Sequence, residues 1–148
     1  MIKEKKIEFI LKAASYIGMP HFYIPLFLFL LVININLAIK FIISILITEL
    51  LCAIIKLATR TDRPIPRKRI TIFDQYDAST FPSAHTARIA SSFTTLSVFY
   101  QNYFIILLSV IMIFIVGYSR VKLKHHFIQD VIFGGAVGII ISLIISNF

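Results

Sequence analysis

The chain has 148 residues, enough for one domain, and its formal charge is +8. It is 58% hydrophobic with a mean hydropathy of +0.88, which excludes an ordinary soluble globule. The cations lie between apolar runs, with no aromatic–basic strip to stack bases, so they point to lipid headgroups, phosphate or topology signals rather than to nucleic acid.

In chain order, residues 2–17 predict an amphipathic helix at a membrane surface. Ile2, Phe9, Ile10, Ala13 and Ile17 form an apolar stripe opposite Lys3, Lys5, Lys6, Glu8 and Lys12. The segment has no signal-peptide layout, and its rival reading is a frayed basic terminus. Gly18 and Pro20 end it. A first apolar segment runs from His21 to about Asn36; its unbroken part, Phe22 to Ile33, is short for a span, and the flanks bring it to about the length a bilayer needs. A second runs from about Leu37 to Lys56 and carries Glu49 near its middle, where a carboxylate is costly and faces the bundle interior. That glutamate reads equally as packed below a polar site or as a protonated acid bonded to a neighbouring helix. Cys52, the only cysteine, lies in this run, so no intrachain disulfide forms.

Residues 57–82 predict a long polar loop of the kind that carries function. Ser83 is then expected to cap a third helix reaching about Tyr100, whose first half is too polar to face lipid. Two more spans follow at about 103–120 and 126–146, the last with Gly134, Gly135 and Gly138 for close helix approach. The prediction is an all-α integral membrane domain over residues 1–148, a bundle of about five transmembrane helices, or four if the first segment is re-entrant.

Alternating helices bring the polar residues to one membrane face. Lys56, Arg60 and Arg63 follow the second span, Ser83, His85 and Arg88 open the third, Arg120 closes the fourth, and His126 and Asp130 open the fifth. Fixed cations around one point suit a phosphate, and a helix N-terminus at Ser83–His85 adds backbone donors. Asp130 lies four residues after His126, so on a helix the two share a face and the carboxylate can fix the imidazole tautomer. Two histidines can divide nucleophilic attack and proton transfer, with arginine and lysine neutralising charge in place of a metal. His125 and His126 point about 100° apart on a helix, which disfavours one ion held by both. Arg60 reads as a phosphate contact or a snorkelling side chain, and Arg88, one turn past His85, as a residue lining the site.

At these residues the chain resembles the type 2 phosphatidic acid phosphatase (PAP2) superfamily of membrane lipid phosphatases. The first motif, a lysine, six residues, then Arg-Pro, is met by Lys56 to Arg63-Pro64. The second, Pro-Ser-Gly-His, is met by Pro82-Ser83-Ala84-His85. The third is met by Ser119-Arg120, His126 and Asp130. The resemblance implies that His126 is the nucleophile of a phosphohistidine intermediate, Asp130 its orienter, and His85 the acid and then the base. It implies phosphate binding by Lys56, Arg63, Ser83, Ala84 and Arg120, with no cofactor and no metal. Ala84 stands where the family usually has glycine, which bears on rate and headgroup preference.

Phe81 to Arg88 looks like the branch acting on polyisoprenyl diphosphates of the undecaprenyl or dolichyl type. Phosphatidic acid or phosphatidylglycerophosphate is the alternative substrate. The alternatives of another class are an inactive lipid-binding membrane protein, a small transporter built on Glu49, and the haloperoxidase chemistry of the superfamily. With five spans the site side carries fourteen of the fifteen Lys and Arg residues, against Lys40 on the other. The positive-inside rule then puts the site in the cytoplasm of a cell-membrane protein, the outer face being the alternative.

Overall fold

Residues 35–59 contain neither glycine nor proline, and the Asn34 side chain accepts a hydrogen bond from Leu37 N at 2.9 Å to start them as a helix. In the computed structural model, which describes residues 2–148 and side chains from Glu4 onward, this is the longest of seven α-helices. They are α1 (Ile2–Tyr16), α2 (Tyr23–Ile33), α3 (Ile35–Thr59), α4 (Ile72–Ala78), α5 (Ala84–Tyr100), α6 (Tyr103–Lys122) and α7 (Ile128–Ser146), with a 3-10 turn at Pro20–Phe22. No strand occurs among the described residues, only an isolated antiparallel bridge between Asp62 and Ser79.

Helices α3, α6 and α7 are each long and apolar enough to cross a bilayer. The expected count of about five spans resolves into these three, a central α5 of 17 residues, and a broken segment. In that segment α1 and the Pro20–Ile33 stretch meet at 65°. Gly18 and Pro20 break the helix there, and α2 alone, with 11 residues, reaches only about 16 Å. The outward side chains of the long helices are apolar, as Leu46, Phe104, Phe114 and Ile132 illustrate, which suits lipid contact.

Helix α5 packs against α7, with α3 and α6 on its other sides, while α1 lies on α6. Its small polar face is buried from Thr86 to Ser92 and again at Thr95, as the sequence predicts. Hydroxyls from its neighbours bond to it: Ser142 of α7 donates to Ser91 O at 2.8 Å, and Ser109 of α6 to Phe93 O at 3.1 Å. Such bonds join helices where no hydrophobic force between them is available. At Gly138 the backbones nearly touch. A Cβ there would run into Ala87 O and stand 2.8 Å from Ser91 N.

The predicted loop is not wholly irregular. Thr71 and Asp74 form a reciprocal capping box, with Asp74 N to Thr71 Oγ1 at 3.1 Å and Thr71 N to Asp74 Oδ2 at 2.9 Å, and this starts the short α4. Helix α1 turns a different face to the protein from the apolar stripe. Leu11, Ala14 and Ser15 are its covered or half-covered positions, followed by Ile17 and Gly18 just beyond its end, and Phe9, Ile10 and Ala13 stay exposed. The side chains of Ile2 and Lys3, part of the expected pattern, lie outside those described.

Gly138→Leu should lower stability by about 3 kcal/mol or prevent folding, because backbone on both sides cannot yield. Thermal unfolding in detergent checks this against Ala136→Leu, an exposed position expected to behave as the parent.

Candidate active site

The three polar clusters meet where α5 and α7 begin. Ser83 N donates to Asp130 O at 3.0 Å, so the start of α5 is tied to the first turn of α7 by a backbone bond. A Cβ at Gly134 would stand 2.5 Å from Ser83 O, which shows how closely the two turns are seated. Ser83 occupies the N-cap position, yet its hydroxyl makes no capping bond and faces Thr86 Oγ1 at 3.1 Å. The expected side-chain cap is thus absent, and the first backbone N–H groups of α5 keep their capacity to bind an anion. Ala84, which stands where glycine was expected, is buried with Cys52, Ala87 and Val137. Its methyl therefore belongs to an apolar cluster.

The α6–α7 connection sets His126. His125 N and His126 N donate to Arg120 O at 3.0 and 3.3 Å, with Lys124 at φ 56° making the tight turn. The chain then extends through Phe127, and α7 starts only at Ile128. His126 is therefore outside the helix, and the shared-face argument for His126 and Asp130 does not apply. Asp130 Oδ2 instead accepts from Phe127 N at 2.7 Å and stands 3.7 Å from His126 Nδ1, beyond hydrogen-bond length. Thr80 fills that gap. Its Oγ1 lies 2.5 Å from Asp130 Oδ2 and 3.1 Å from His126 Nδ1. Burial holds the imidazole of His126 below its ordinary value, at about 4, with the charges of Arg120, Lys56 and Arg63 adding to the effect and Asp130 opposing it. His126 is thus neutral at pH 7 and keeps a free lone pair.

The cations gather around this histidine. Lys56 is buried, donates from Nζ to Ser79 O at 2.5 Å and lies 5.3 Å over the Tyr76 ring. Arg63 is buried and reaches Asp77 at 3.5 Å. Arg120 is buried and donates from Nη1 to Ser15 Oγ at 2.6 Å. His85 lies against the α1–α2 bend, where a Cβ on Gly18 would stand 2.9 Å from the His85 Cβ, and it feels the charges of Arg120, Arg88, His126 and Arg63. Four buried polar atoms in this group have no protein partner: His85 Nε2, Arg63 Nε, Arg120 Nε and Asp130 Oδ1. Three of the four are nitrogens of arginines or of an imidazole, and such polar atoms are costly to bury without a partner. An open cleft of ≈ 680 Å³ leads to His126, lined also by Pro64, Val121, Lys124, Phe127, Ile128 and Gln129.

Two sequence-predicted candidates are not brought into the group. Arg60 is exposed, with Nε turned back to Leu57 O at 3.3 Å. Arg88 is buried but committed elsewhere, to Glu49 at 2.6 Å and to Gly18 O. Glu49 also accepts from Tyr76 OH, so it acts as an ion-pair partner joining α3, α4 and α5. Thr80, Ser15 and Tyr76 were not legible as site residues, because each meets its partners across a long sequence separation with no motif spacing. The only local hint at Thr80 is a hydroxyl side chain two residues before Pro82.

Glu49→Gln should destabilise the fold by about 3 kcal/mol, since it leaves the Arg88 charge buried without its partner. Adding Arg88→Gln should recover part of the loss, and denaturation of the two variants in detergent measures the coupling.

The sequence model of the PAP2 superfamily matches residues 37–148. No curated protein matches the sequence. Among solved structures, LpxE from Aquifex aeolicus is similar with a TM-score of 0.78 at 24% identity, covering 96% of this chain and 86% of that one. A transmembrane PAP2-type phosphatidylglycerolphosphate phosphatase from Bacillus subtilis is similar with a TM-score of 0.79 at 19% identity, covering 96% of this chain and 76% of that one. Both likenesses concern the fold. With the family match extending over most of the chain, from the start of α3 to the C-terminal end of α7, this membrane protein belongs to the PAP2 superfamily and has the fold of its lipid phosphatases.

Proposed function

We propose that the chain hydrolyses a lipid phosphate or diphosphate through a phosphohistidine, without a metal. The observation that carries this reading is the set of buried, unpartnered nitrogens on His85, Arg63 and Arg120 beside a neutral His126. A phosphoryl group is the acceptor that suits them in charge and geometry. The Nε2 lone pair of His126 attacks phosphorus, and a P–N bond forms as the bond to the lipid oxygen breaks. His85 gives its proton to that oxygen, the incoming phosphate charge having favoured the imidazolium form. Water then attacks phosphorus and returns a proton to His85, and the P–N bond breaks to release orthophosphate. Lys56, Arg63, Arg120, the Ser83 hydroxyl and the Ala84 backbone N–H hold the equatorial oxygens, while Asp130 stabilises the charge that builds on His126.

A polyisoprenyl diphosphate is the substrate we favour. The cleft beside His126 has apolar walls at Phe127, Ile128 and Val121, with Lys124 available to a second phosphate. Phosphatidylglycerophosphate is the second reading, favoured by the name of the Bacillus subtilis structure of similar fold. Residues 1–148 act as one phosphatase domain, with the exposed Phe9 and Ile10 of α1 resting in the interface of the cell membrane. Because fourteen of the fifteen Lys and Arg residues fall on the site side in a five-span topology, the active site faces the cytoplasm.

Purified protein in detergent with EDTA should release phosphate from a long polyprenyl diphosphate faster than from phosphatidic acid. Vanadate should inhibit, and acid quench should trap a labelled phosphoenzyme. His126→Ala should abolish release, and Asp130→Asn should slow it about 100-fold. Loss of activity in EDTA, or no release from either lipid, would overturn the reading. Cys52 is buried, so a Lys68→Cys variant offers one accessible thiol for sidedness. A membrane-impermeant maleimide should label it in inverted vesicles and spare it in intact cells.

A further inference from the structure

We propose that Thr80 is a positioning residue that links His126 to Asp130 and fixes the tautomer of the imidazole. The proposal rests on the reading of His126 as the nucleophile. Its basis is a directional argument. The Thr80 hydroxyl has one proton and lies 2.5 Å from Asp130 Oδ2, an acceptor when ionised, so that proton is committed to the carboxylate. Toward His126 Nδ1, at 3.1 Å, the same oxygen can only accept. Nδ1 therefore carries the hydrogen and Nε2 the lone pair. The opposite arrangement would set a hydroxyl lone pair against a carboxylate oxygen at 2.5 Å.

The carboxylate is not within hydrogen-bond length of His126 itself. Asp130 Oδ2 is held by Phe127 N at 2.7 Å, and its separation from Nδ1 is 3.7 Å. Thr80 itself is fixed. It is 2% exposed, its own N–H donates to Thr61 O at 3.0 Å, and Phe81 N donates to Thr61 Oγ1 at 3.1 Å. The Asp62–Ser79 bridge and the Lys56 bond to Ser79 O secure the residue before it. As phosphoryl transfer develops positive charge on the imidazole, the Nδ1–H bond to Thr80 and the Thr80 bond to Asp130 polarise in the same sense. The proton stays on Nδ1 throughout, and no atom of Thr80 bonds to phosphorus.

Thr80→Val keeps the shape and removes the hydroxyl, while Thr80→Ser keeps the hydroxyl. In Thr80→Val, kcat should fall about 10- to 100-fold with KM unchanged, the loss of one hydrogen bond to a charged group, and Thr80→Ser should recover most of it. The structural control is imidazole nitrogen NMR of ¹⁵N-histidine-labelled protein, with the His126 signals identified from their loss in His126→Ala. The wild type should show a neutral Nδ1–H tautomer, and Thr80→Val a mixture. A wild-type kcat in Thr80→Val, or an Nε2–H tautomer in the wild type, would overturn the proposal. If Thr80→Val does not fold, the wild-type tautomer and the Thr80→Ser rate still decide. Activity retained in His126→Ala would instead refute the nucleophile reading, so the two failures are distinguishable.

Discussion

The bond from Ser83 N to Asp130 O carries more than its own energy. It joins the start of α5 to the first turn of α7, and these are the two turns that bear the second and third motifs. The contact needs helices that approach backbone to backbone, which Gly134 and Gly138 allow on the α7 side. Hydroxyls at Ser91 and Ser142 then complete the seam further along. With α5 and α7 fixed, the Thr61–Thr80 pairing brings the loop edge down onto them. Three segments separated by dozens of residues thereby acquire one geometry.

That geometry concentrates positive charge in a place where charge is costly. Lys56, Arg63 and Arg120 are all buried, and only part of their charge is answered by Asp77 and Asp130. The balance is made elsewhere for Arg88, whose partner Glu49 removes it from the group. This division matters chemically. One arginine near the site is neutralised and structural, while Arg63 and Arg120 keep unsatisfied Nε atoms. A dianionic ligand lowers the energy of such a group more than it would a set of exposed cations, because solvent screens it less.

Much of the fold and of the site was legible in the sequence, since apolar length and motif order depend on local spacing. Helices α3, α6 and α7 lie close to their expected limits, and the buried polar face of α5 follows from its serines and threonines. What escaped depended on how segments meet. The shared face of His126 and Asp130 assumed a helix starting at 126. The extended Phe127 shifts that start to 128 and opens the space that Thr80 occupies. Arg88 had the right spacing from His85, but a carboxylate on α3 captured it. The face of α1 that packs on the protein runs through Leu11, Ala14 and Ser15, and a stripe drawn by hydrophobicity passes over it because the buried Ser15 at its centre is polar.

Ser15 and Gly18 tie the N-terminal segment to the candidate site. Ser15 accepts from Arg120, Gly18 O accepts from Arg88, and Gly18 backs directly onto His85. Both lie ahead of residue 37, where the family match begins. The conserved-fold portion supplies the motif residues, and the segment before it supplies a wall that orients one Arg120 nitrogen while leaving Nε unpaired. Because α1 also exposes Phe9 and Ile10, its outward apolar side chains and the residue that meets Arg120 belong to one helix.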